Sequence, residues 1–335
     1  MPTEDAVIAR RDGRAGRILL NRPAALNALD LEMVRSFTRA LHQFHDDPHV
    51  HVVVVEGAGD RAFCAGGDIR ALRDNQIKGD RGPVEAFFSE EYALNRLIAG
   101  YPKPYAALID GICMGGGIGV SVYGAYRVAT EHAMFAMPET AIGFFPDIGA
   151  TYFLPRMPGR IGVYLGLSGA RVRGADAVHT GFATQFTPRA QLAALSQALA
   201  TDGAAALAQF AAPLPAFSLA EQRGVIDRCF GAASVPDIVR GLEADGGAWA
   251  QQTLAQLRGV SPSALCWTLL ALRHGEDLTL PQALDAEFRL TRTTMAHPDF
   301  AEGVRAMVVD KDRTPRWEPA RIEAVDPRAI AALFD

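Results

Sequence analysis

Apolar residues recur along the first part of the chain in two periods, one typical of strands and one typical of helices. Four consecutive valines within residues 51–56 predict a buried strand. Residues 17–20 and 103–109 also contain apolar runs that predict strands. After Asp30, apolar side chains at helical spacing predict a helix to about residue 45, with Asp30 as its N-cap.

Three consecutive glycines at residues 115–117 interrupt an otherwise apolar segment. Each glycine costs a helix about 1 kcal/mol relative to alanine, so the bare backbone must serve a purpose there. We predict that these glycines open a helix that runs to about Tyr123 and leaves N–H groups exposed at its start.

Gly67 and Gly116 are the two candidate donors of a backbone oxyanion site. Gly67 lies near the end of residues 63–68, which are predicted to form a loop that leads into a helix from Ile69. Two N–H groups directed at one oxygen stabilise the negative charge of an acyl-transfer reaction. Close helix packing also requires glycine and is the competing interpretation.

Two carboxylic acids follow in a segment rich in glycine and proline. Glu139 comes after a strand-like run at residues 134–137, and Asp147 follows Pro146, which excludes one continuous helix. A curved loop can bring both carboxyl groups to one pocket, where apolar neighbours drive their pKa values apart. A solvated or helix-capping role is the alternative for Glu139.

The organisation of the chain changes near residue 188. Strand–strand–helix units, loosely spaced by about 40–50 residues, occupy residues 1–187 and predict an α/β core. Patterns rich in Ala, Leu and Gln occupy residues 188–335 and predict a mostly helical region packed on that core.

Composition excludes several classes of protein. The 335 residues carry a net charge of -5 and no block of Lys and Arg, which argues against a nucleic-acid partner. No apolar run approaches ~18 residues, so no membrane partner is expected. Four separated cysteines and the acidic start of the chain favour a reduced, cytoplasmic location without a signal or transit peptide.

Other reaction chemistries find little support. Cys64 lacks a neighbouring His or Asn in sequence, and Ser168 is not in a G-x-S-x-G elbow. The eight His residues are scattered without metal-ligand spacing. Val120 stands where a dinucleotide-binding fingerprint requires its third glycine.

Several blocks of this sequence resemble the enoyl-CoA hydratase/isomerase, or crotonase, superfamily. The blocks are ILLNRPAALNAL at residues 18–29, AFCAGGDIR at 62–70, GICMGGGIG at 111–119 and FAMPETAIGFFPDIG at 135–149. FFSEEY at residues 87–92 and HPDFAEGVRAMVVDKD at 297–312 are similar to one branch, the 3-hydroxyisobutyryl-CoA hydrolases.

This resemblance implies a crotonase-like spiral of repeated β-β-α units that binds acyl-CoA and assembles, through its helical region, as a trimer or hexamer. It implies that the N–H groups of Gly67 and Gly116 form the oxyanion hole and that Glu139 and Asp147 are catalytic. Glu91 matches a position that contacts substrate. No metal or redox cofactor is implied, because CoA is part of the substrate, and the reaction belongs to valine degradation.

One departure from the family pattern bears on the reaction. Hydratases carry a second glutamate two residues after the triple glycine, where this chain has Gly119. Its absence removes a carboxylate from the hydration mechanism and favours thioester hydrolysis. An enoyl-CoA hydratase or isomerase, and a non-catalytic acyl-CoA-binding homologue, remain the alternatives. Candidates for holding the CoA phosphates are Arg22, Arg70 and Lys103.

Overall fold

The computed structural model describes residues 5–334, which contain both strands and helices. The strands in this part of the chain are β1 Val7–Asp12, β2 Ala15–Leu20, β3 Val52–Gly57, β4 Ala62–Cys64, β5 Tyr105–Ile109, β6 Ile112–Met114, β7 Tyr126–Ala129, β8 Met134–Ala136, β9 Val172–Arg173 and β10 Gln185–Phe186. The α-helices are α1 Leu31–Asp46, α2 Ile69–Lys78, α3 Arg81–Ala99, α4 Gly116–Gly119, α5 Ala150–Phe153, α6 Ile161–Ser168, α7 Asp176–Thr180, α8 Arg189–Asp202, α9 Arg223–Phe230, α10 Val235–Asp245, α11 Ala248–Gly259, α12 Pro262–Gly275, α13 Leu280–Ala296, α14 Pro298–Val304 and α15 Pro327–Ala331.

The chain divides into two compact units that alternate along the sequence. The first unit contains the residues up to Asp68, together with Ser89–Phe135 and Arg171–Phe217. The second contains Ile69–Phe88, Ala136–Ala170 and the residues from Ser218 onward. The predicted division at residue 187 stays a prediction about the domains of this protein.

The first unit is built on parallel strands. Its larger sheet has the order β1-β2-β3-β5-β7-β10, in which only β1 and β2 pair antiparallel. A smaller sheet has the order β4-β6-β8-β9. Val52 and Val54 of β3 pack with buried side chains of β5 and α8 in one apolar cluster, and Val53 and Val55, on the opposite face of the strand, are also buried.

The second unit is mostly helical and encloses an aromatic cluster. The ring of Phe144 lies 4.7 Å from that of Phe145, and 5.8 Å from those of Phe88 and Phe300, measured between centroids. Trp267 of α12 donates its indole N–H to the Phe144 carbonyl at 3.2 Å. These contacts fix the segment between Glu139 and Asp147.

Local predictions from the sequence are mostly confirmed. The predicted α/β class is confirmed, and α1 begins at its expected N-cap, since the Asp30 carboxylate accepts from the Met33 N–H at 2.9 Å. The helix that follows the triple glycine was predicted to reach Tyr123 but ends at Gly119, so that prediction is wrong.

The early end of α4 has a physical cause. The Ser121 hydroxyl donates a hydrogen bond to the Gly117 and Ile118 carbonyls. The Tyr105 hydroxyl donates to the Val120 carbonyl at 2.5 Å. Carbonyls used in this way compete with helix continuation. The prediction that residues 63–68 are entirely loop is also wrong, since Phe63 and Cys64 belong to β4, which pairs with β6 in parallel.

Within residues 5–334, the helices are too short or too polar to cross a lipid bilayer.

Candidate active site

The side chain of Asn27 links its own loop to the segment that precedes Gly67. Its buried side chain accepts from the Arg22 N–H at 3.0 Å and donates to the carbonyls of Ala58 and Ala62 at 3.0 and 2.8 Å. Asn27 itself has a φ of 57°, a left-handed conformation that asparagine tolerates better than most residues. The NRPAALNAL block therefore serves as a structural clamp beside residues 62–68.

A single parallel bridge then orients Gly67. The Leu29 N–H donates to the Gly66 carbonyl and the Asp68 N–H donates to the Leu29 carbonyl, both at 2.8 Å. In such a bridge, the N–H of the middle residue points away from the paired segment. Within residues 5–334 the Gly67 N–H donates no backbone hydrogen bond.

Gly116 lies beside this amide at the start of α4. Because it is the first residue of the helix, its N–H has no partner inside the helix. A methyl group at Gly116 would lie 3.4 Å from the Gly67 nitrogen and would overlap the Glu91 carboxylate. The first unit thus brings together Gly67, Gly116 and Glu91, and Glu91 is only 2% exposed.

The second unit carries the other two predicted acids on one short segment. Glu139 begins a 3-10 turn, Glu139–Ile142, and its side chain is 6% exposed. The Thr140 hydroxyl donates to the Leu167 carbonyl at 3.0 Å, and the Phe144 N–H donates to the Glu139 carbonyl at 3.0 Å. These bonds hold the backbone around a buried carboxyl group.

Asp147 precedes a tight reversal of the chain. The Ala150 N–H donates to the Asp147 carbonyl at 2.9 Å, while Ile148 and Gly149 have φ values of 56° and 83°. A left-handed conformation at a branched residue such as Ile148 is costly and persists only where the surroundings impose it. Asp147 is 5% exposed, so the turn places a second carboxyl group in a buried position.

Glu287 of α13 supplies the support for this turn. Its carboxyl group accepts from the Gly149 N–H at 2.6 Å, from the Thr151 N–H at 2.9 Å and from the Thr151 hydroxyl at 2.5 Å. Burial, aided by the nearby Asp147 carboxylate, raises the pKa of Glu287 to about 8, although the Thr151 hydroxyl and the two N–H donors oppose the shift.

Sequence reasoning did not identify Glu287, although a signal for it exists. Thr279 and Gln282 form a capping box that marks the start of α13. Counted from there, Glu287 shares a helical face with the buried residues Leu284 and Leu290. An acid on the apolar face of a helix is unusual and points to a specific partner.

Two of the three candidate phosphate-binding cations have structural partners in the first unit. The Lys103 ammonium donates to the Phe44 and Asp47 carbonyls at 2.5 and 2.7 Å, where α1 ends. Cations stabilise such C-terminal carbonyls. Arg22 pairs with Asp68 at 3.2 Å and with Asp30 at 3.1 Å.

The third cation, Arg70, donates to the Val308 carbonyl at 2.9 Å in the second unit. All three side chains therefore stabilise the fold, and their role toward CoA phosphates stays a prediction.

Cys64 is an inert thiol, in agreement with the sequence analysis, which found little support for it as a nucleophile. It is fully buried, and burial raises its pKa to about 12. A thiol with such a pKa is not ionised at neutral pH and cannot attack a thioester.

Known proteins similar to this chain agree on its family. The profile of the enoyl-CoA hydratase/isomerase family matches residues 15–334. The chain is 44% identical to the mitochondrial 3-hydroxyisobutyryl-CoA hydrolase of Xenopus tropicalis and 41% identical to that of Homo sapiens. Each match covers 96% of this chain and 86% of the relative.

Solved structures share the same fold over almost the whole chain. A carnitinyl-CoA dehydratase from Mycobacterium thermoresistibile superposes with a TM-score of 0.95 at 39% identity, covering 99% of this chain and 97% of that one. An enoyl-CoA hydratase from Rhodobacter sphaeroides 2.4.1 gives 0.93 at 42% identity, covering 98% and 97%. The predicted crotonase-like fold is thereby confirmed.

Proposed function

The chain belongs to the enoyl-CoA hydratase/isomerase family, and we propose that within it this protein hydrolyses 3-hydroxyisobutyryl-CoA to 3-hydroxyisobutyrate and CoA. The observation that carries the proposal is the full-length similarity to 3-hydroxyisobutyryl-CoA hydrolases together with both buried acids, Glu139 and Asp147. In metabolism this reaction releases CoA during valine degradation.

The N–H groups of Gly67 and Gly116 are proposed to bind the thioester oxygen. Both amides are free of backbone partners inside the described chain and lie close together. As the carbonyl carbon becomes tetrahedral, the negative charge on its oxygen strengthens these hydrogen bonds. Each such donor typically contributes about 3–4 kcal/mol of transition-state stabilisation.

Glu139 is proposed to act on the carbonyl carbon by one of two routes. As a nucleophile, its carboxylate oxygen bonds to that carbon, the C–S bond breaks, and CoA leaves as a thiolate; water then hydrolyses the mixed anhydride. As a general base, it takes a proton from the water that attacks the same carbon. If water attacks the Glu139 carbon of the anhydride, a single turnover in ¹⁸O-labelled water places label in the Glu139 carboxyl group and none in the released acid, whereas the general-base route labels the released acid.

Asp147 and Glu91 are proposed to contact the acyl group. Asp147 would accept a hydrogen bond from the substrate 3-hydroxyl or act in proton transfer. Glu91 would contact the substrate beside Gly116. A buried carboxylate that accepts a hydroxyl proton discriminates strongly against acyl groups without the hydroxyl, since the acid is then left unsatisfied.

For Asp147→Asn we expect kcat to fall about 10- to 150-fold, with a much smaller change in KM. The amide keeps the shape of the side chain but loses the charge, which contributes about 1.5–3 kcal/mol in a charged hydrogen bond. Steady-state thiol release measures both constants. A rise in KM alone would instead make Asp147 a uniform binding contact.

A free-thiol assay tests the function directly. Purified protein is mixed with (S)-3-hydroxyisobutyryl-CoA and, separately, with crotonyl-CoA. We expect rapid thiol release from the hydroxyacyl ester alone. Tight binding of either ester without turnover would indicate a non-catalytic binding protein.

Enoyl-CoA hydration is the second candidate because both solved structures with high TM-scores are described as a hydratase or a dehydratase. Position 119 argues against it, since Gly119 is buried and supplies no carboxylate. Loss of the crotonyl-CoA double bond without thiol release would establish hydration.

The assembly and the compartment also belong to this proposal. We expect a homo-oligomer, a trimer or hexamer, which light scattering of the purified protein tests. The cytoplasmic location stays a prediction, since the curated relatives are mitochondrial proteins.

A further inference from the structure

Glu287 is a buried acid whose bonding serves the turn after Asp147. Two of its hydrogen bonds come from backbone N–H groups, at Gly149 and Thr151, and the third comes from the Thr151 hydroxyl. With 2% exposure, the carboxyl group has almost no access to bulk water. Burying a carboxyl group costs free energy, and here that cost is offset because the group accepts hydrogen bonds from donors that are themselves buried.

The bonds of Glu287 bracket the strained part of the turn. Ile148 and Gly149 both have positive φ, and Glu287 binds the backbone at Gly149 and again at Thr151. Without this acceptor, two buried N–H groups would lack partners and Ile148 would relax toward ordinary backbone angles. The direction of the Asp147 side chain therefore depends on Glu287.

Glu287 also interacts electrostatically with Asp147. The Asp147 carboxylate is one of the causes that raise the pKa of Glu287 to about 8, after burial itself. Near neutral pH, Glu287 is consequently protonated, and the Thr151 hydroxyl can accept that proton because a hydroxyl both donates and accepts. Above the pKa, a second negative charge lies next to Asp147.

A cavity lies beside Glu287. Thr151 and Glu287 line this cavity together with four other charged or titratable residues, Arg273, His274, Asp277 and Arg289. Glu287 faces this cavity with a pKa that burial raises to about 8.

We propose that Glu287 is a positioning residue for Asp147, holding the Gly149–Thr151 backbone in place while neutral and opposing the reaction once ionised. This inference rests on the proposed function, in which Asp147 contacts the substrate. Ionisation of Glu287 adds negative charge beside a reaction that itself develops negative charge, so catalysis slows. Glu287 does not touch the substrate in this proposal.

The test is the pH profile of kcat for the wild type and three variants, in which thioester absorbance reports the rate of hydrolysis. In Glu287→Gln, the side-chain NH₂ faces one of the N–H donors, so we expect kcat at pH 7 to fall about tenfold with little change in KM. The wild-type decline in kcat near pH 8 should be absent, because Gln does not ionise.

Two further variants sharpen this result. Thr151→Val removes one donor to the carboxylate, so the decline should move to higher pH. Asp285→Asn makes the corresponding carboxyl-to-amide change at an exposed position of α13 and should keep the wild-type kcat and profile. An unchanged kcat and an unchanged decline in Glu287→Gln would overturn the proposal, as would an equal effect of Asp285→Asn.

A stability measurement keeps the inference separate from the proposed function. The folded pKa of Glu287 exceeds its model value of 4.5, so folding retains a proton and the wild type loses stability as pH rises from about 4.5 to about 8. Glu287→Gln should lack this loss. If the wild type hydrolyses no thioester, the proposed function fails, whereas identical pH slopes of Tm in both proteins would refute the role of Glu287.

Discussion

Replacing Glu139 by glutamine is expected to lower kcat for thiol release by at least ~10²-fold. The amide preserves the volume of the side chain in its buried position but is neither a nucleophile nor a base at neutral pH. Because general acid–base catalysis contributes ~10²–10⁴-fold, its loss should be among the largest effects of any single substitution.

The measurement for Glu139→Gln is kcat by the free-thiol assay, with circular dichroism to establish folding. Glu221→Gln provides the matched control, since it makes the same chemical change at an exposed residue of the same unit. We expect the control to retain wild-type kcat. Turnover near that of the wild type in folded Glu139→Gln would refute the role of this residue in either catalytic route.

Replacing Gly116 by alanine is expected to lower kcat/KM by ~10²–10³-fold, comparable to the loss of an oxyanion donor. The added methyl group would lie 3.4 Å from the Gly67 nitrogen and would overlap the Glu91 carboxylate. It would occupy the space in front of the Gly67 N–H that a thioester oxygen needs, and would displace Glu91 from beside it.

Gly100→Ala serves as the control for this substitution. Its added methyl group would meet only the Arg96 carbonyl at 3.6 Å, an ordinary van der Waals contact in the same unit. Thiol release and Tm are compared for both variants. If folded Gly116→Ala retained normal kcat/KM, the space between these two glycines would not hold the thioester oxygen.

Much of the fold could be predicted because it depends on short stretches of chain. The Asp30 cap and the valine run of β3 follow from side-chain chemistry and period alone, and both occur as expected. The acids at 139 and 147 were identified because Pro146 and the surrounding glycines break regular structure. The assignment of roles to those acids, in contrast, came from family resemblance.

Other features depended on contacts that no local pattern contains. The helix at the triple glycine stops early because the hydroxyls of Tyr105 and Ser121 take its carbonyls. Lys103 was a candidate for phosphate binding from its charge, yet its ammonium lies on the carbonyls at the end of α1.

Local chemistry along the chain thus specified the elements and the glycine-rich and acidic loops, since hydrogen-bonding periodicity and backbone sterics act over a few residues. Three-dimensional packing decided which amides were left without partners and which acids were supported. Gly67 is oriented by Leu29, and the turn after Asp147 is held by Glu287, which is 138 positions from Gly149. Such pairings arise only when distant segments pack together, because burial makes an unsatisfied N–H or carboxyl group costly.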